Sequence, residues 1–451
     1  MAEASAVLNA QTASVLTRTR VRYWVVVMLF FVTALNYGSR ATLSIAGAPM
    51  SKALGMDAAG LGLIFSAFSW SYVIGQIPGG WLLDRFGSKR VYLWSLFVWS
   101  LFTLLQGTVE ILPVSMGVIA LFALRFMVGL AESPAFPGNS RIVAAWFPAQ
   151  ERGTAVSIFN SAQYFSLVMF APIMGWLTMK VGWASVFYFM GGLGILFCVV
   201  WQKVIHAPKD HPSINQGELD YIEAGGALVN MDQKTTKKDG LRIDDIKQLL
   251  KSRMMLGTYL GQYCINALTF FFITWFPVYL VQAKHMSILK AGFAASIPAI
   301  CGFLGGVLGG IISDWLLRRT KSLTFSRKLP IVLGMLMSMV MIGCNYVESE
   351  WLVVGLMSFS FFGKGLGALG WAVLADTAPK EISGIAGGLF NMFGNLSGIV
   401  TPIAIGYIIK STGSFNGALV FVGAHALLAV VSFLFIVQDI KRVQLVRTEA
   451  A

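Results

Sequence analysis

Four charged side chains stand inside long apolar stretches of this chain: Arg40, Arg125, Glu132 and Lys364. An isolated charge at mid-bilayer costs at least about 2.5–3.5 kcal/mol, so residues of this kind usually face a wet, functional cavity. Three cations against one acid describe a site for something anionic. Arg125 and Glu132 lie two helical turns apart on nearly one face, about 10 Å along the axis and too far for unaided contact. Arginine suits a carboxylate clamp because its planar fork meets both oxygens. Glutamate suits a protonatable switch because burial raises a carboxyl pKa toward neutrality. At an effective dielectric of about 20, an ionised Glu132 some 10 Å from a bound carboxylate repels it by roughly 1.7 kcal/mol. Protonation removes that repulsion, so proton and anion favour each other reciprocally. The plainer alternatives are a self-neutralising buried pair for Arg125 and Glu132, snorkelling for Arg40, and a carbonyl partner for Lys364.

Of the 451 residues, 56% are hydrophobic and 12% charged, with mean hydropathy +0.70. A soluble domain carries roughly 25% charged residues, so the main solvent here is lipid. Apolar runs predict an all-α polytopic membrane protein with twelve spans, at 23–46, 59–83, 89–110, 114–136, 153–176, 183–204, 255–282, 289–317, 328–347, 351–376, 382–410 and 415–438. These divide the chain into a tail (1–22), a six-helix bundle (23–204), a polar linker (205–253), a second six-helix bundle (254–438) and a tail (439–451). Two pseudo-symmetric bundles follow from that order. Most of the 34 Lys/Arg fall on the side of the termini, which predicts cytoplasmic termini and removes the net charge of +13 as an argument for nucleic acid. No cleavable signal peptide is apparent. Cys198, Cys264, Cys301 and Cys344 have no metal-ligand spacing. No cofactor or metal set, nucleophile–base set or nucleotide loop is legible, which argues against an enzyme or an ATP-driven pump.

An internal repeat supports the two-bundle reading. Gly79-Gly80, Asp84, Arg85, Gly87 and Arg90 stand where span two gives way to span three; Gly309-Gly310, Asp314, Arg318 and Arg319 stand where span eight gives way to span nine. The glycines are expected to let two helices approach, and the Asp and basic residues to latch a short turn.

This doubled motif resembles the signature loop of the major facilitator superfamily. Asn36-Tyr37-Gly38-Ser39-Arg40, Gln76-Ile77-Pro78-Gly79-Gly80-Trp81 and Glu132-Ser133-Pro134 are similar to the anion:cation symporters within it. Phe362-Gly363-Lys364-Gly365, Gly370-Trp371, Asp376 to Glu381 and Phe390-Asn391-Met392-Phe393-Gly394-Asn395 resemble bacterial glucarate/galactarate permeases. The similarity runs from about Arg22 to Arg442. It implies a multi-pass inner-membrane symporter, working as a monomer in the lipid bilayer by alternating access, that takes up a sugar diacid with protons. Tyr37, Arg40, Tyr72, Arg125 and Gln163 would bind substrate from one half. Asn266, Lys364, Trp371 and Asn391, with Gln262 and Asn395, would do so from the other. Two arginines opposite a lysine suit a carboxylate at each end of the ligand, and transporters of sugar monoacids in the family typically lack that lysine. The resemblance also exposes a departure: relatives carry an acidic residue, implicated in proton coupling, where this chain has Ser39. Three consequences stay open: fewer protons coupled, Glu132 acting alone, or an altered, transport-impaired form. An organic-anion exchanger, a non-transporting sensor and a monoacid symporter are the alternatives.

Overall fold

The computed structural model describes residues 18–148, 151–230, 243–379 and 382–444. Helices α1 (Val21–Ala53), α2 (Ala58–Phe86), α3 (Ser88–Gly107), α4 (Val114–Glu132), α5 (Ala135–Trp146), α6 (Arg152–Lys180) and α7 (Ser185–Val204) build the first bundle. After the short helices α8 (Gln216–Ala224) and α9 (Ile243–Lys251), the second bundle is built by α10 (Arg253–Thr274), α11 (Phe276–Gln282), α12 (Ile288–Thr320), α13 (Leu323–Ser338), α14 (Glu350–Leu366), α15 (Gly370–Thr377), α16 (Ser383–Thr412) and α17 (Asn416–Val431). Among the described residues eleven spans are long and apolar enough to cross a bilayer, and α10 with α11, bent by 47°, makes a twelfth when the pair is counted as one span.

Several spans depart from the hydropathy reading, the first running on to Ala53, seven residues past its expected end. The fourth continues through Pro134 and Pro137 as α5 and ends at Trp146, ten residues beyond its expected end. Asn139, Ser140 and Arg141 lower the local hydropathy, yet Asn139 is buried and donates to Thr33 Oγ1 at 3.0 Å. The ninth span begins at Leu323 rather than 328, because Ser322 caps it by accepting from Phe325 N.

The two signature turns differ from expectation as well. Gly87, at φ +80°, joins α2 to α3, a conformation that favours glycine. Gly79 packs tightly on Pro134, and a Cβ at Gly309 would lie 2.3 Å from the Leu366 carbonyl oxygen. A Cβ at Gly80 or Gly310 would meet nothing within 4 Å, so one glycine of each pair, not both, permits the close approach. In the second copy Asp314 pairs with Arg327 at 3.2 Å, and Arg327 also holds Asp376 at 2.8 Å. Arg318 and Arg319 are therefore not the latch; Arg319 stacks over Trp315. In the first copy Arg85 lies over Trp81 and Phe86, while the side chain of Asp84 falls outside the described residues. Arg90 has no ion-pair or hydrogen-bond partner among the described residues.

The bundles meet along α2–α16 and α6–α12, and the contacts lie away from the termini. A Cβ at Gly62 would press the Pro402 carbonyl, one at Gly406 the Ala58 carbonyl, and one at Gly292 the Ala171 carbonyl. Phe65 meets Trp275 edge-on at 5.3 Å, and Asp57 pairs with Lys410 at 2.8 Å across the same end. On the termini's side of these helices, Ile77, Trp81, Ile311 and Trp315 are exposed. Close cross-bundle packing thus marks the end away from the termini as the sealed one, with the end bearing the termini as its open counterpart.

The linker is docked at both of its ends. Glu218, fully buried on α8, accepts from Thr19 Oγ1, from the backbone N–H groups of Val21 and Arg22, and from the Arg22 guanidinium at 2.9 Å. It thereby satisfies the free amides at the start of α1, which no side chain of its own caps. Leu249 on α9 is buried against Met255, Tyr259 and Leu374 of the second bundle.

Candidate functional site

Midway along α1 the side chains of Tyr37 and Arg40 share one face, three residues apart. The Arg40 guanidinium lies over the rings of Tyr37, Phe68 and Tyr72, at 4.9, 4.5 and 5.0 Å, so α1 and α2 form an aromatic collar around it. Its Nε donates to Glu132 Oε1 at 2.6 Å, and Nη2 meets the same oxygen. Glu132 closes α4 and is fully buried, whereas the Arg40 side chain keeps 13% of its exposure. Arg40 is thus the outward member of the pair and Glu132 stands behind it. Snorkelling does not describe this arginine.

Arg125 sits differently from the expected clamp. Nη1 donates to Ser39 O at 3.1 Å and Nη2 to Arg40 O at 3.0 Å, while the guanidinium lies 5.3 Å from the Phe68 ring. Nη1 and Nη2 each hold an α1 backbone carbonyl while Nε has no partner among the described residues, so Arg125 braces the stretch that presents Arg40. Ser39 turns inward and donates to Asn36 O at 2.8 Å. Two arginines against one glutamate leave this half with one net positive charge.

Lys364 stands near the end of α14, 5% exposed, with Nζ 5.2 Å from the Phe361 ring and no ion-pair or hydrogen-bond partner among the described residues. Its flanking glycines are not an open space. A Cβ at Gly365 would meet Gly302 O and one at Gly363 would meet Gly334 O, so α14 is clamped between α12 and α13. Phe361 lines a narrow seam between the bundles with Ala41 and Ser44 of α1. The helix carrying Lys364 therefore faces the segment that carries Arg40.

The amides of the second half form a separate group. Gln262 Nε2 donates to Asn266 Oδ1 at 3.1 Å on α10, and Asn395 Nδ2 donates to Asn391 O and Oδ1 on α16. The half-exposed Trp371 ring packs edge-on against Phe390 at 4.8 Å. Gly370 and Gly394 admit the Gln262 and Asn266 side chains, which draws α10, α15 and α16 together. Gln163 donates to Asn160 O of its own helix. Its neighbour Tyr164, which the sequence reading passed over, reaches across to Phe303 at 5.9 Å and to the Gly302 groove. Only the alternation of faces on α6 distinguishes the two.

The structure thus brings Tyr37, Arg40, Tyr72, Arg125 and Glu132 into one cluster and Gln262 with Asn266, Asn391 with Asn395, and Trp371 onto the packed α10, α15 and α16 helices, with Lys364 apart on α14. Gly80, Asp84, Arg85, Arg90, Gly310 and Asp314 lie at the open end, remote from this set.

Comparison with known proteins agrees with this architecture. Residues 29–326 match the family model described as Major Facilitator Superfamily. The chain is 70% identical over 441 residues, 97% of its length and 98% of the relative's, to the "Probable galactarate/D-glucarate transporter GudP" of Escherichia coli (strain K12). It is 58% identical, over 94% of its length and 96% of the relative's, to the "Probable galactarate/D-glucarate transporter GarP" of the same strain. Among solved structures, a bacterial homologue of the human lysosomal transporter Spinster superposes with TM-score 0.73 at 15% identity, covering 94% of this chain and 98% of that one. A D-xylose–proton symporter superposes with TM-score 0.70 at 17% identity, covering 93% and 99%. Two bundles of helices long and apolar enough to cross a membrane, a family match over residues 29–326 and transporter relatives at 58–70% identity lead to one statement: the chain belongs to the Major Facilitator Superfamily and is a membrane transporter, not an enzyme.

Proposed function

We propose that this protein takes up a sugar diacid of the D-glucarate or galactarate type together with protons, by rocking its two bundles about the charged junction. The observation that carries the reading is the contrast between a neutralised cation, Arg40 on Glu132, and a bare one, Lys364, on opposite bundles. One net charge in the first half and one in the second match a ligand with a carboxylate at each end. The GudP and GarP relatives, named for the same diacids, support it. So does the lower identity, 40%, to a D-galactonate transporter of Escherichia coli O6:H1.

In the cycle, a substrate carboxylate replaces Glu132 on Arg40. Leaving a buried carboxylate without its cation costs about 3–5 kcal/mol, so the exchange proceeds when Glu132 takes a proton. Arg125 holds the backbone beneath Arg40 throughout. Lys364 receives the second carboxylate, while Asn266, Asn391 and the Trp371 indole offer donors, acceptors and an apolar wall to the hydroxylated carbons. With the termini in the cytoplasm of a bacterial inner membrane, the open end faces the cytoplasm, and one chain suffices for the cycle. Ser39 carries no charge, which leaves Glu132 as the proton carrier.

The test is uptake of labelled D-glucarate into proteoliposomes with and without an imposed pH gradient. Glu132→Gln is expected to retain counterflow exchange and to lose accumulation against a gradient. Uphill accumulation by Glu132→Gln would remove Glu132 from the role. Uptake by the unsubstituted chain that ignored the pH gradient would favour an anion exchanger.

A further inference from the structure

The span that carries Trp371 is interrupted. Helix α14 ends at Leu366; Gly367, Ala368 and Leu369 then break the run, and α15 covers only the eight residues Gly370–Thr377. So short a helix does not hold itself together, and the position of the Trp371 indole depends on what ties α15 down. At its start Gly370 packs closely on Gln262, and near its end Arg327 takes Asp376. The last carbonyls of α15 are met by a segment from beyond the twelfth span. Arg442 Nη1 donates to Ala378 O at 2.9 Å and Nη2 to Ala375 O at 3.2 Å, while Val443 N donates to Thr377 O at 2.8 Å. Val443 also packs against the buried cluster of Leu249, Leu374 and Ala378. A helix C-terminus needs such donors, and its dipole favours a cation among them.

The first bundle meets the same need with a different arginine. Helix α5, the half-helix that follows Glu132 in the fourth span, ends at Trp146. Arg152 donates Nε to Phe147 O and Nη2 to Ala144 O, each at 3.2 Å, and Leu228 N of the linker reaches the same Ala144 O at 2.8 Å. The two halves of the sequence align here without a gap. Pro148, Gly153, Ala155, Phe159 and Asn160 recur at equal intervals as Pro379, Gly384, Ala386, Phe390 and Asn391. In that register Ala144 and Phe147 correspond to Ala375 and Ala378, so the two arginines grip corresponding carbonyls of their half-helices. Arg152 itself corresponds to Ser383, which cannot supply the guanidinium. Arg442 supplies it from the tail instead. A merely adventitious tail contact would have no reason to fall on those two carbonyls.

We infer that Arg442 is a positioning residue for substrate: by clamping the end of α15 to the chain beyond the twelfth span, it sets the Trp371 indole against the sugar carbons. The inference rests on the place given to Trp371 in the site above. Trp371 stands one turn before Ala375 on the same face of α15, and its half-exposed ring is braced edge-on by Phe390. Without the clamp, α15 tilts about its break at Gly367. Binding must then order the half-helix again, which weakens affinity while the rocking of the bundles stays in place.

The test is counterflow of labelled D-glucarate in proteoliposomes, read as half-saturating concentration and maximal rate. Arg442→Ala is expected to raise the half-saturating concentration about fivefold or more and to leave the maximal rate within about twofold. Arg442→Lys, which keeps a charge but lacks the fork that spans two carbonyls, should fall between. Trp371→Ala alone should also lose affinity. Adding Arg442→Ala to it should then change half-saturation by less than about twofold, because no indole is left to position. A purely stabilising role would instead lower the melting temperature in detergent and the maximal rate, and its effect would add in full to that of Trp371→Ala. Unchanged half-saturation in Arg442→Ala, or full additivity in the double variant, would overturn the inference. If Trp371→Ala alone left half-saturation unchanged, the site reading of Trp371 would fail first and the positioning role with it.

Discussion

Removing the charge of Lys364 separates a diacid site from a general anion site. In Lys364→Met the long unbranched stem is retained over Phe361 and only the ammonium is lost. A carboxylate 4 Å from that ammonium gains about 4 kcal/mol at an effective dielectric of 20. Desolvation offsets part of this, and measured hydrogen bonds to charged groups fall at about 1.5–3 kcal/mol. That range corresponds to a roughly ten- to hundred-and-fifty-fold loss of affinity for a ligand carrying the second carboxylate. A sugar monoacid presents no such group and is expected to compete unchanged. The assay is counterflow of labelled D-glucarate in proteoliposomes, titrated with unlabelled D-glucarate and D-galactonate. Stability gives an internal control. Lys364 has no partner among the described residues, so deleting its charge removes a desolvation penalty, and the melting temperature should hold or rise. Equal losses for diacid and monoacid, or an unchanged diacid affinity, would refute the reasoning.

Three further outcomes are expected. Gly309→Ala drives a Cβ into the Leu366 carbonyl and should lose about 1–3 kcal/mol of stability, whereas Gly310→Ala, with open space around it, should lose none; thermal unfolding in detergent separates them. Glu218→Ala leaves Arg22 with Glu151 alone and uncaps α1, and should cost about 3 kcal/mol in the same measurement. At the sealed end, the Lys410 ammonium and then the Gly60 amide hold the Asp57 carboxyl below its usual range. A depressed carboxylate contributes fully above its unfolded-state pKa and loses its contribution only as pH falls through the lower folded value. Alkylation of a cysteine introduced as Ser44→Cys should therefore stay constant between about pH 8 and pH 5, once corrected for thiol ionisation, and Asp57→Asn should raise it only a few-fold, as befits an exposed pair.

Much of this molecule was legible in the sequence, and the reason is lipid. Apolar length sets the spans, and charges that lipid forbids mark Arg40, Arg125, Glu132 and Lys364. What escaped the reading depends on which way a helix turns. Spacing kept Glu132 from Arg125 but could not give it to Arg40, ninety-two positions away. Nor could it show that Arg125 would turn Nη1 and Nη2 to carbonyl oxygens. Successive helical residues point about 100° apart, which is why Gly309 packs and Gly310 does not, and why Tyr164 crosses the junction and Gln163 does not. Arg327 and Glu218 lay in stretches that hydropathy treats as loop or linker, where an acid or base looks like any other solvated charge.

The cap on α1 has an implication for how the chain is made. Glu218 lies 196 positions after Arg22, so the first helix enters the bilayer with its leading amides bare and its arginine unmatched. Arg22 can meet Glu151 once the fourth span is made, but the amides find their acid only after the sixth span has left the ribosome. Completion of the first half is thereby chemically registered at its beginning, and a truncated or misthreaded nascent chain would expose an unfinished end to quality-control proteases.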